Sequence, residues 1–180
     1  LMASTISLLR TLSSGSNSPS QIAYSLNNSI AERNEADMFV TFFIGMLDLR
    51  TGVMKYCNAG HTPPVLTSPD RTVAFFEMQS DLPLGILKNH DYREETYRFV
   101  SGSGILLYTD GVTDAENEKN EFYTRERLLE IVTQNQELHP REFIRSIIND
   151  IQSHIKSHEL SDDLSMLTFI YGSEWNIKKS

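Results

Sequence analysis

The chain contains 180 residues, carries a formal net charge of −8 and is 39% hydrophobic. This length suits one globular domain, and this composition excludes an intrinsically disordered chain. The acidic balance argues against nucleic acid as a partner, because nucleic-acid-binding proteins neutralise phosphates with clustered Lys and Arg.

Cysteine content and hydropathy restrict the environment of the chain. The single cysteine, Cys57, excludes an internal disulfide and a multi-cysteine zinc site, and it favours a reducing cytoplasm. No apolar run approaches the roughly 20 residues that a membrane-spanning helix needs, so no direct membrane insertion is expected. Membrane tethering of a longer parent protein stays open.

The first predicted elements in chain order are two helices. Leu1 to Leu12 has the pattern of a helix that begins with apolar residues and no cap, so we expect the chain to be the later part of a longer domain. Ser18 and Pro19 are typical of a helix start, with serine as N-cap and proline at the first helical position. The second helix carries an apolar stripe that predicts one buried face: Ile22, Leu26 and Ile30.

Strands follow, separated by turn residues. Met38 to Leu49 is almost continuously apolar, which predicts a strand buried on both faces. Thr51-Gly52 then turns the chain back into a strand from Val53 to Ala59. Two further hairpins are predicted. The first pairs Pro63 to Thr67 with Thr72 to Phe76 around the turn Ser68-Pro69-Asp70. The second pairs Tyr92 to Val100 with Gly104 to Tyr108 around the turn Ser101-Gly102-Ser103.

The last third of the chain predicts two helices and a closing strand. The helices run from Arg125 to Gln134 and from Pro140 to Lys156, and the strand runs from Leu164 to Tyr171. The second helix is expected to bury its isoleucines: Ile144, Ile147, Ile148, Ile151 and Ile155. Antiparallel hairpins with helices inserted in blocks predict an α+β fold, with helices packed on the faces of the sheets.

The segment from Ile105 to Ala115 carries the clearest signal for chemistry. A buried strand runs straight into Asp110, Gly111 lets the backbone turn sharply, and Asp114 adds a carboxylate one turn later. Carboxylates held at a strand end suit hard cations, which take oxygen ligands. Asp-Gly is also a common turn dipeptide, so this segment alone leaves a plain turn open.

Two adjacent carboxylates, Asp162 and Asp163, directly precede the last strand. Either a cation or exposure to water would relieve their repulsion, and both interpretations stay open for this segment alone. If the strands that carry Asp110 and Asp162 are neighbours, the two side chains meet at one end of a sheet and can share a metal ion.

Two turns complete the set of candidate segments. Asn58-Ala59-Gly60-His61 ends a strand, and His61 could be a metal ligand, a phosphate contact or a hydrogen-bonded turn residue, the last being favoured on general grounds. Leu82-Pro83-Leu84-Gly85-Ile86 is an apolar turn, for which packing of the loop is the favoured interpretation.

Together these segments resemble the SpoIIE/RsbU-type branch of the metal-dependent (PPM) serine/threonine protein phosphatases. The resemblance runs from Leu1 to about Tyr171, so we expect residues 1–172 to be the carboxy-terminal part of such a domain and residues 173–180 to be a tail. The matching segments are Asn58-Ala59-Gly60-His61, Pro83-Leu84-Gly85, Tyr108 to Ala115 and Asp162-Asp163-Leu164-Ser165, together with Met2 to Arg10 as a family helix.

The resemblance implies a β-sandwich of two antiparallel sheets flanked by helices in α-β-β-α layers, with the leading strands missing here. It implies two Mn²⁺ or Mg²⁺ ions at one edge, which activate a water that attacks phosphoserine or phosphothreonine. The implied substrate is a bacterial signalling protein of the anti-sigma-factor antagonist type. An upstream sensor domain is implied in the parent protein, and a sheet edge left open by missing strands would favour a homodimer.

Carried over onto this sequence, the resemblance assigns metal binding and catalysis to Asp110 and Asp162. Asp163 ranks below Asp162 as a ligand, because some relatives have Asn there, and Gly111 is a candidate only through its backbone. Asn58 and His61 are candidates for binding the substrate.

The chain departs from the family pattern in two places. The family's metal-bridging carboxylate belongs to a Gly-Asp motif, and the 180 residues contain no Gly-Asp dipeptide, so we expect this chain by itself to be impaired. Glu121-Phe122-Tyr123-Thr124 stands where relatives often have Phe-Gly, which predicts a different loop after Asp114.

A non-catalytic binding module with the phosphatase fold is the alternative function. A phosphodiesterase is disfavoured by the few His among the candidate ligands.

Overall fold

The computed structural model describes residue 9 and residues 18–32, 38–156 and 162–172. These residues form two antiparallel sheets and three helices, so the predicted α+β class is confirmed. The predicted helix from Leu1 to Leu12 lies outside the described residues except for Leu9, as does the tail from residue 173 to 180. Among the described helices, none combines the length and the apolar character that crossing a membrane requires.

The chain divides into two compact units. The first unit is Leu1–His61 with Met78–Arg98, and the second is Thr62–Glu77 with Phe99–Ser180. The elements in chain order are helix α1 (Pro19–Glu32), strands β1 (Phe42–Asp48), β2 (Val53–Ala59), β3 (Val65–Thr67), β4 (Val73–Phe75), β5 (Glu95–Arg98) and β6 (Gly104–Tyr108), a 3₁₀ turn (Asp110–Val112), helices α2 (Arg125–Asn135) and α3 (Pro140–Ile155), and strand β7 (Met166–Ile170).

The first unit packs helix α1 against a sheet with the strand order β1-β2-β5. The predicted helix start is confirmed, because the Ser18 N–H donates to the Gln21 side chain at 2.8 Å and the Ser18 carbonyl accepts from the Ile22 N–H at 3.0 Å. The predicted buried stripe of this helix is also confirmed. Strand β2 has the predicted bounds, and Gly52 takes a φ of +71° in the turn before it.

The prediction that the strand around β1 is buried on both faces is wrong. Every residue of β1 is at least partly exposed, and the flanking Phe39 and Leu49 are 58% and 77% exposed. Within the described sheet β1 is an edge strand that pairs only with β2, and helix α1 contacts it. An apolar run therefore identified the strand but not the number of faces that are covered.

The second unit packs helices α2 and α3 with a sheet of strand order β4-β3-β6-β7. Ile147, Ile151 and Ile155 are buried in helix α3 as predicted. Ile144 and Ile148 are only partly buried, whereas Phe143 is buried. Residues 143, 147, 151 and 155 repeat every four positions, so the buried stripe is narrower than the full set of isoleucines.

The predicted hairpin between the strands around β5 and β6 is also wrong. Strand β5 pairs with β2, whereas β6 pairs with β3 on one side and with β7 on the other. A turn does lie between them, with Gly102 at a φ of +88° and the Ser103 N–H bonded to the Val100 carbonyl at 2.9 Å. A strand has two hydrogen-bonding edges, and both edges of β6 are occupied, so the turn joins strands of different sheets.

Candidate functional site

The two acidic segments lie side by side. Strands β6 and β7 are antiparallel neighbours, and Tyr108 at the end of β6 is paired with Met166 at the start of β7. Asp110 follows β6 and Asp162 precedes β7, so both belong to the same end of this sheet. The sequence could only state this adjacency as a condition, and the structure confirms it.

Thr109 joins the two acidic segments by three hydrogen bonds. Its backbone N–H donates to the Ser165 carbonyl at 3.0 Å, and its hydroxyl oxygen accepts from the Ser165 N–H at 3.1 Å. The same hydroxyl donates to the Asp163 carbonyl at 3.1 Å. Sequence reasoning missed Thr109, and the available signal was a hydroxyl residue placed directly between the strand and Asp110.

Gly111 is needed for close approach rather than for a special backbone conformation. It lies in the 3₁₀ turn Asp110–Val112 and is absent from the glycines with positive φ, which differs from the expected sharp glycine turn. A Cβ atom at this position would lie 2.7 Å from the Asp163 carbonyl oxygen and 3.5 Å from the Asp162 Cβ. The missing side chain therefore lets the Asp-Gly turn touch the Asp162-Asp163 segment.

The carboxylates of Asp110, Asp162 and Asp163 are exposed to water. Asp110 accepts a hydrogen bond from the Gly111 N–H at 3.1 Å, and Asp162 accepts one from the Asp163 N–H at 2.7 Å. The carbonyl oxygen of Asp110 accepts from the Asp114 N–H at 2.9 Å, which closes the turn. These hydrogen bonds hold the backbone of the two acidic segments, and the aspartates of both segments face the solvent.

The donor chemistry of these residues fits a hard divalent cation. Across the described ranges, however, no three His, Cys, Asp or Glu side chains converge so that they alone could hold a metal ion. Mg²⁺ is commonly held by one or two carboxylates and keeps several waters, so this limited set still suits it. Asp110 and Asp162 would then supply part of a coordination sphere.

Asn58 holds His61 in a turn at the end of β2. The His61 N–H donates to the Asn58 side-chain oxygen at 2.9 Å, and the Asn58 amide donates to the His61 carbonyl at 3.1 Å. Asn58 is buried, and Gly60 takes a φ of +76° with Pro83 directly against it. These bonds support the favoured interpretation of His61 as a hydrogen-bonded turn residue, and its contact with a substrate stays a prediction.

The Pro83-Leu84-Gly85 segment is a packed loop, as favoured from its sequence. Leu84 is fully buried and exchanges two backbone hydrogen bonds with Val40, at 2.8 and 2.9 Å. The buried Asn27 of helix α1 accepts from the Gly85 N–H at 2.8 Å and donates to the Leu87 carbonyl at 2.8 Å. Sequence reasoning missed Asn27, whose signal was a polar residue beside the apolar stripe.

Several titratable groups of the first unit have shifted pKa values, and Cys57 and Asp81 are two of them. Burial raises the pKa of the Cys57 thiol to about 12, which favours the protonated thiol at neutral pH. Burial also acts to raise the pKa of Asp81, but hydrogen bonds from His90, at 2.5 Å, and from the Leu82 N–H lower it overall. Asp81 is thereby held as an anion in the loop that precedes Pro83.

Comparison with known proteins identifies a family match over most of the chain. Residues 1–170 match the model of the family described as stage II sporulation protein E (SpoIIE). The chain is 32% identical over 143 residues to protein IcfG of Synechocystis sp. (strain ATCC 27184 / PCC 6803 / Kazusa), covering 78% of this chain and 22% of IcfG. It is 27% identical over 150 residues to phosphoserine phosphatase RsbU of Bacillus subtilis, covering 83% of this chain and 44% of RsbU. The chain thus spans less than half the length of these relatives.

Solved structures with the same fold are also found. The SiaA-PP2C domain of Pseudomonas aeruginosa has a TM-score of 0.78 at 16% identity, covering 94% of this chain and 70% of that domain. RsbX, solved in complex with magnesium, has a TM-score of 0.65 at 17% identity, covering 92% of this chain and 70% of RsbX. At these identities the likeness establishes the fold.

Proposed function

This chain belongs to the SpoIIE family, and from that premise we propose that it is part of a metal-dependent protein serine/threonine phosphatase. The observation that carries the proposal is the junction of Asp110 with Asp162 and Asp163, made by Thr109 and by the missing side chain of Gly111. Catalysis by divalent ions requires oxygen ligands held at fixed positions, and this junction fixes the backbones of two acidic segments.

In this proposal Asp110 and Asp162 hold a divalent ion, with Asp163 as an additional ligand and the Gly111 backbone as a minor one. Mn²⁺ and Mg²⁺ are the proposed ions, which agrees with the carboxylate donors and with the magnesium in the RsbX structure. Such ions, when bound, supply an activated water and stabilise charge on the phosphoryl oxygens. The residues themselves hold the acidic segments together, and the three aspartates are exposed to water.

The proposed substrate is phosphoserine or phosphothreonine on a bacterial signalling protein of the anti-sigma-factor antagonist type. The name of RsbU as a phosphoserine phosphatase supports phosphoserine as the group that is hydrolysed. We also propose a sensor domain elsewhere in the parent protein, and a homodimer. Contacts of Asn58 and His61 with the substrate belong to the same proposal.

The 180 residues contain no Gly-Asp dipeptide, so they do not supply the carboxylate that the family resemblance assigns to bridging two ions. We therefore expect this chain alone to be impaired, and a longer domain that includes such a motif to be active. The alternative, a binding module without catalysis, predicts that neither version hydrolyses a phosphoserine peptide.

The experiment measures Mn²⁺-dependent thermal stabilisation of the chain and Mn²⁺-dependent hydrolysis of a phosphoserine peptide by the longer domain. Asp110→Asn and Asp162→Asn should each remove most of both effects, because each loses an anionic ligand. Asp163→Asn should have a smaller effect, and Asp91→Asn, which replaces an exposed carboxylate in the first unit, should have none. A wild-type chain that Mn²⁺ does not stabilise would contradict the metal site.

A further inference from the structure

We call the 3₁₀ turn Asp110–Val112 the Asp110 turn. A polar network joins helices α2 and α3 to the loop that follows it. The Asp150 carboxylate accepts hydrogen bonds from the Tyr123 hydroxyl at 2.6 Å and from two nitrogens of Arg127 at 2.9 and 3.0 Å. A further nitrogen of Arg127 lies 3.2 Å from His154 Nδ1, and His154 Nε2 lies 2.9 Å from the Glu121 carbonyl oxygen. We call Tyr123, Arg127, Asp150 and His154 the Asp150 network.

The partners of His154 determine its proton position in this network. A guanidinium only donates hydrogen bonds, so Nδ1 of His154 is the acceptor and Nε2 carries the proton that is donated to Glu121.

The charged and titratable groups that face His154 come from three elements. Arg127 lies on helix α2, and Asp150 lies one turn earlier on helix α3. From the loop, the Tyr123 ring meets the imidazole edge-on at 5.6 Å, and Glu121 contributes its carbonyl. Asp150 is shared by Tyr123 and Arg127.

The network is connected to the Asp110 turn through backbone hydrogen bonds. The Tyr123 N–H donates to the Ala115 carbonyl at 2.9 Å, and the Thr124 N–H donates to the Thr113 carbonyl at 3.0 Å. Thr113 in turn donates its hydroxyl to the Asp110 carbonyl at 3.1 Å. Tyr123 is thus linked through the adjacent Thr124 and two hydrogen bonds to Asp110, the residue proposed to bind metal.

Thr124 carries backbone strain at this connection. It has a φ of +68°, which is unfavourable for a β-branched residue, and it is the N-cap of helix α2. Its hydroxyl accepts from the Arg127 N–H at 3.4 Å. A strained conformation persists only where the surrounding contacts hold it, and here those contacts are the Asp150 network and the pairing with Thr113.

We propose that the Asp150 network positions the Asp110 turn for metal binding, with Tyr123 and Arg127 as positioning residues. The inference rests on the proposed phosphatase function for its effect on metal binding. The other part of the proposal, that the Asp150 network fixes the conformation of the segment 113–124, does not depend on that function.

The test uses the 180-residue chain, with hydrogen exchange of the segment 113–124 and Mn²⁺ titration followed by thermal stability. Tyr123→Phe keeps the buried ring but removes the bond to Asp150, so exchange protection of the segment should fall about tenfold. The Mn²⁺ concentration for half-maximal stabilisation should rise by a similar factor. A drop in global stability with an unchanged Mn²⁺ midpoint would overturn the positioning role.

The two readouts separate failure of this inference from failure of the proposed function. If Mn²⁺ does not stabilise even the wild type, the proposed metal site of this chain is contradicted, hydrolysis by the longer domain tests the proposed function, and the exchange data alone judge whether the network holds the loop. If Mn²⁺ binds but Tyr123→Phe changes neither readout, the network proposal is wrong and the metal site stands.

Discussion

Gly111 lies directly against the backbone of Asp163, so close that a Cβ atom would come within 2.7 Å of the Asp163 carbonyl oxygen. This contact joins the turn after β6 to the segment before β7, and both segments carry the proposed metal ligands. The backbone oxygen cannot rotate away as a side chain can, so the contact makes glycine necessary at this position.

Gly111→Ala should therefore destabilise the chain by about 1–3 kcal/mol, because overpacking forces a backbone shift. It should also abolish Mn²⁺-dependent stabilisation, since the shift separates Asp110 from Asp162. Chemical denaturation with and without Mn²⁺ measures both effects. The control is Gly45→Ala, whose Cβ would lie 2.8 Å from the sulfur of Met54, a side-chain atom that can shift by rotation about side-chain bonds, unlike a backbone oxygen. Equal costs for the two variants would contradict this account.

Asn58 is expected to matter through the turn that it holds. Asn58→Ala removes the partners of the His61 N–H and carbonyl, so the free energy of unfolding should fall by about 1–2 kcal/mol. His61→Ala keeps both backbone groups and should cost less than about 1 kcal/mol. Thermal and chemical denaturation compare the two variants. A larger loss for His61→Ala would show that the imidazole, rather than the turn, stabilises this segment.

Asn27 is expected to be the main polar contact that holds the Pro83-Leu84-Gly85 loop. Asn27→Ala leaves the Gly85 N–H and the Leu87 carbonyl without this partner, which should cost about 2–4 kcal/mol. The neighbouring Asn28 accepts one exposed hydrogen bond from the Asn89 N–H at 2.7 Å, so Asn28→Ala should cost less than about 1 kcal/mol. Denaturant midpoints compare the stability of the two variants, and similar losses of stability would contradict a special role for Asn27.

The ion pair of Asp150 should make the stability of the folded chain fall at acid pH. The hydrogen bond from Arg127 holds the pKa of Asp150 below its ordinary value of about 3.9. A depressed pKa stabilises the folded state above the unfolded value, and this stabilisation is lost as the pH falls through the folded value. The stability difference between wild type and Asp150→Asn should therefore be largest near neutral pH and shrink below about pH 4. A difference that is independent of pH would contradict this.

The sequence by itself determined the local elements and the acidic segments. Ser18 and Pro19 fixed the start of helix α1, the bounds of β2 followed from its apolar residues and its turn, and Asp110 and Asp162 stood out at strand ends. These features depend on residues a few positions apart, where turn preferences and side-chain periodicity act directly. The order of these segments was also specific enough to indicate the family.

Only the tertiary structure decided which distant groups meet. The pairing of β6 with β3 and β7, rather than β5, depends on competition between strand edges that are far apart in the sequence. The role of Gly111 depends on the backbone of Asp163, and that of Tyr123 on Asp150, 27 positions later. A residue pattern encodes the conformation of its own segment, whereas a hydrogen-bond partner or a close approach is set by how separate segments pack, and no local pattern records that.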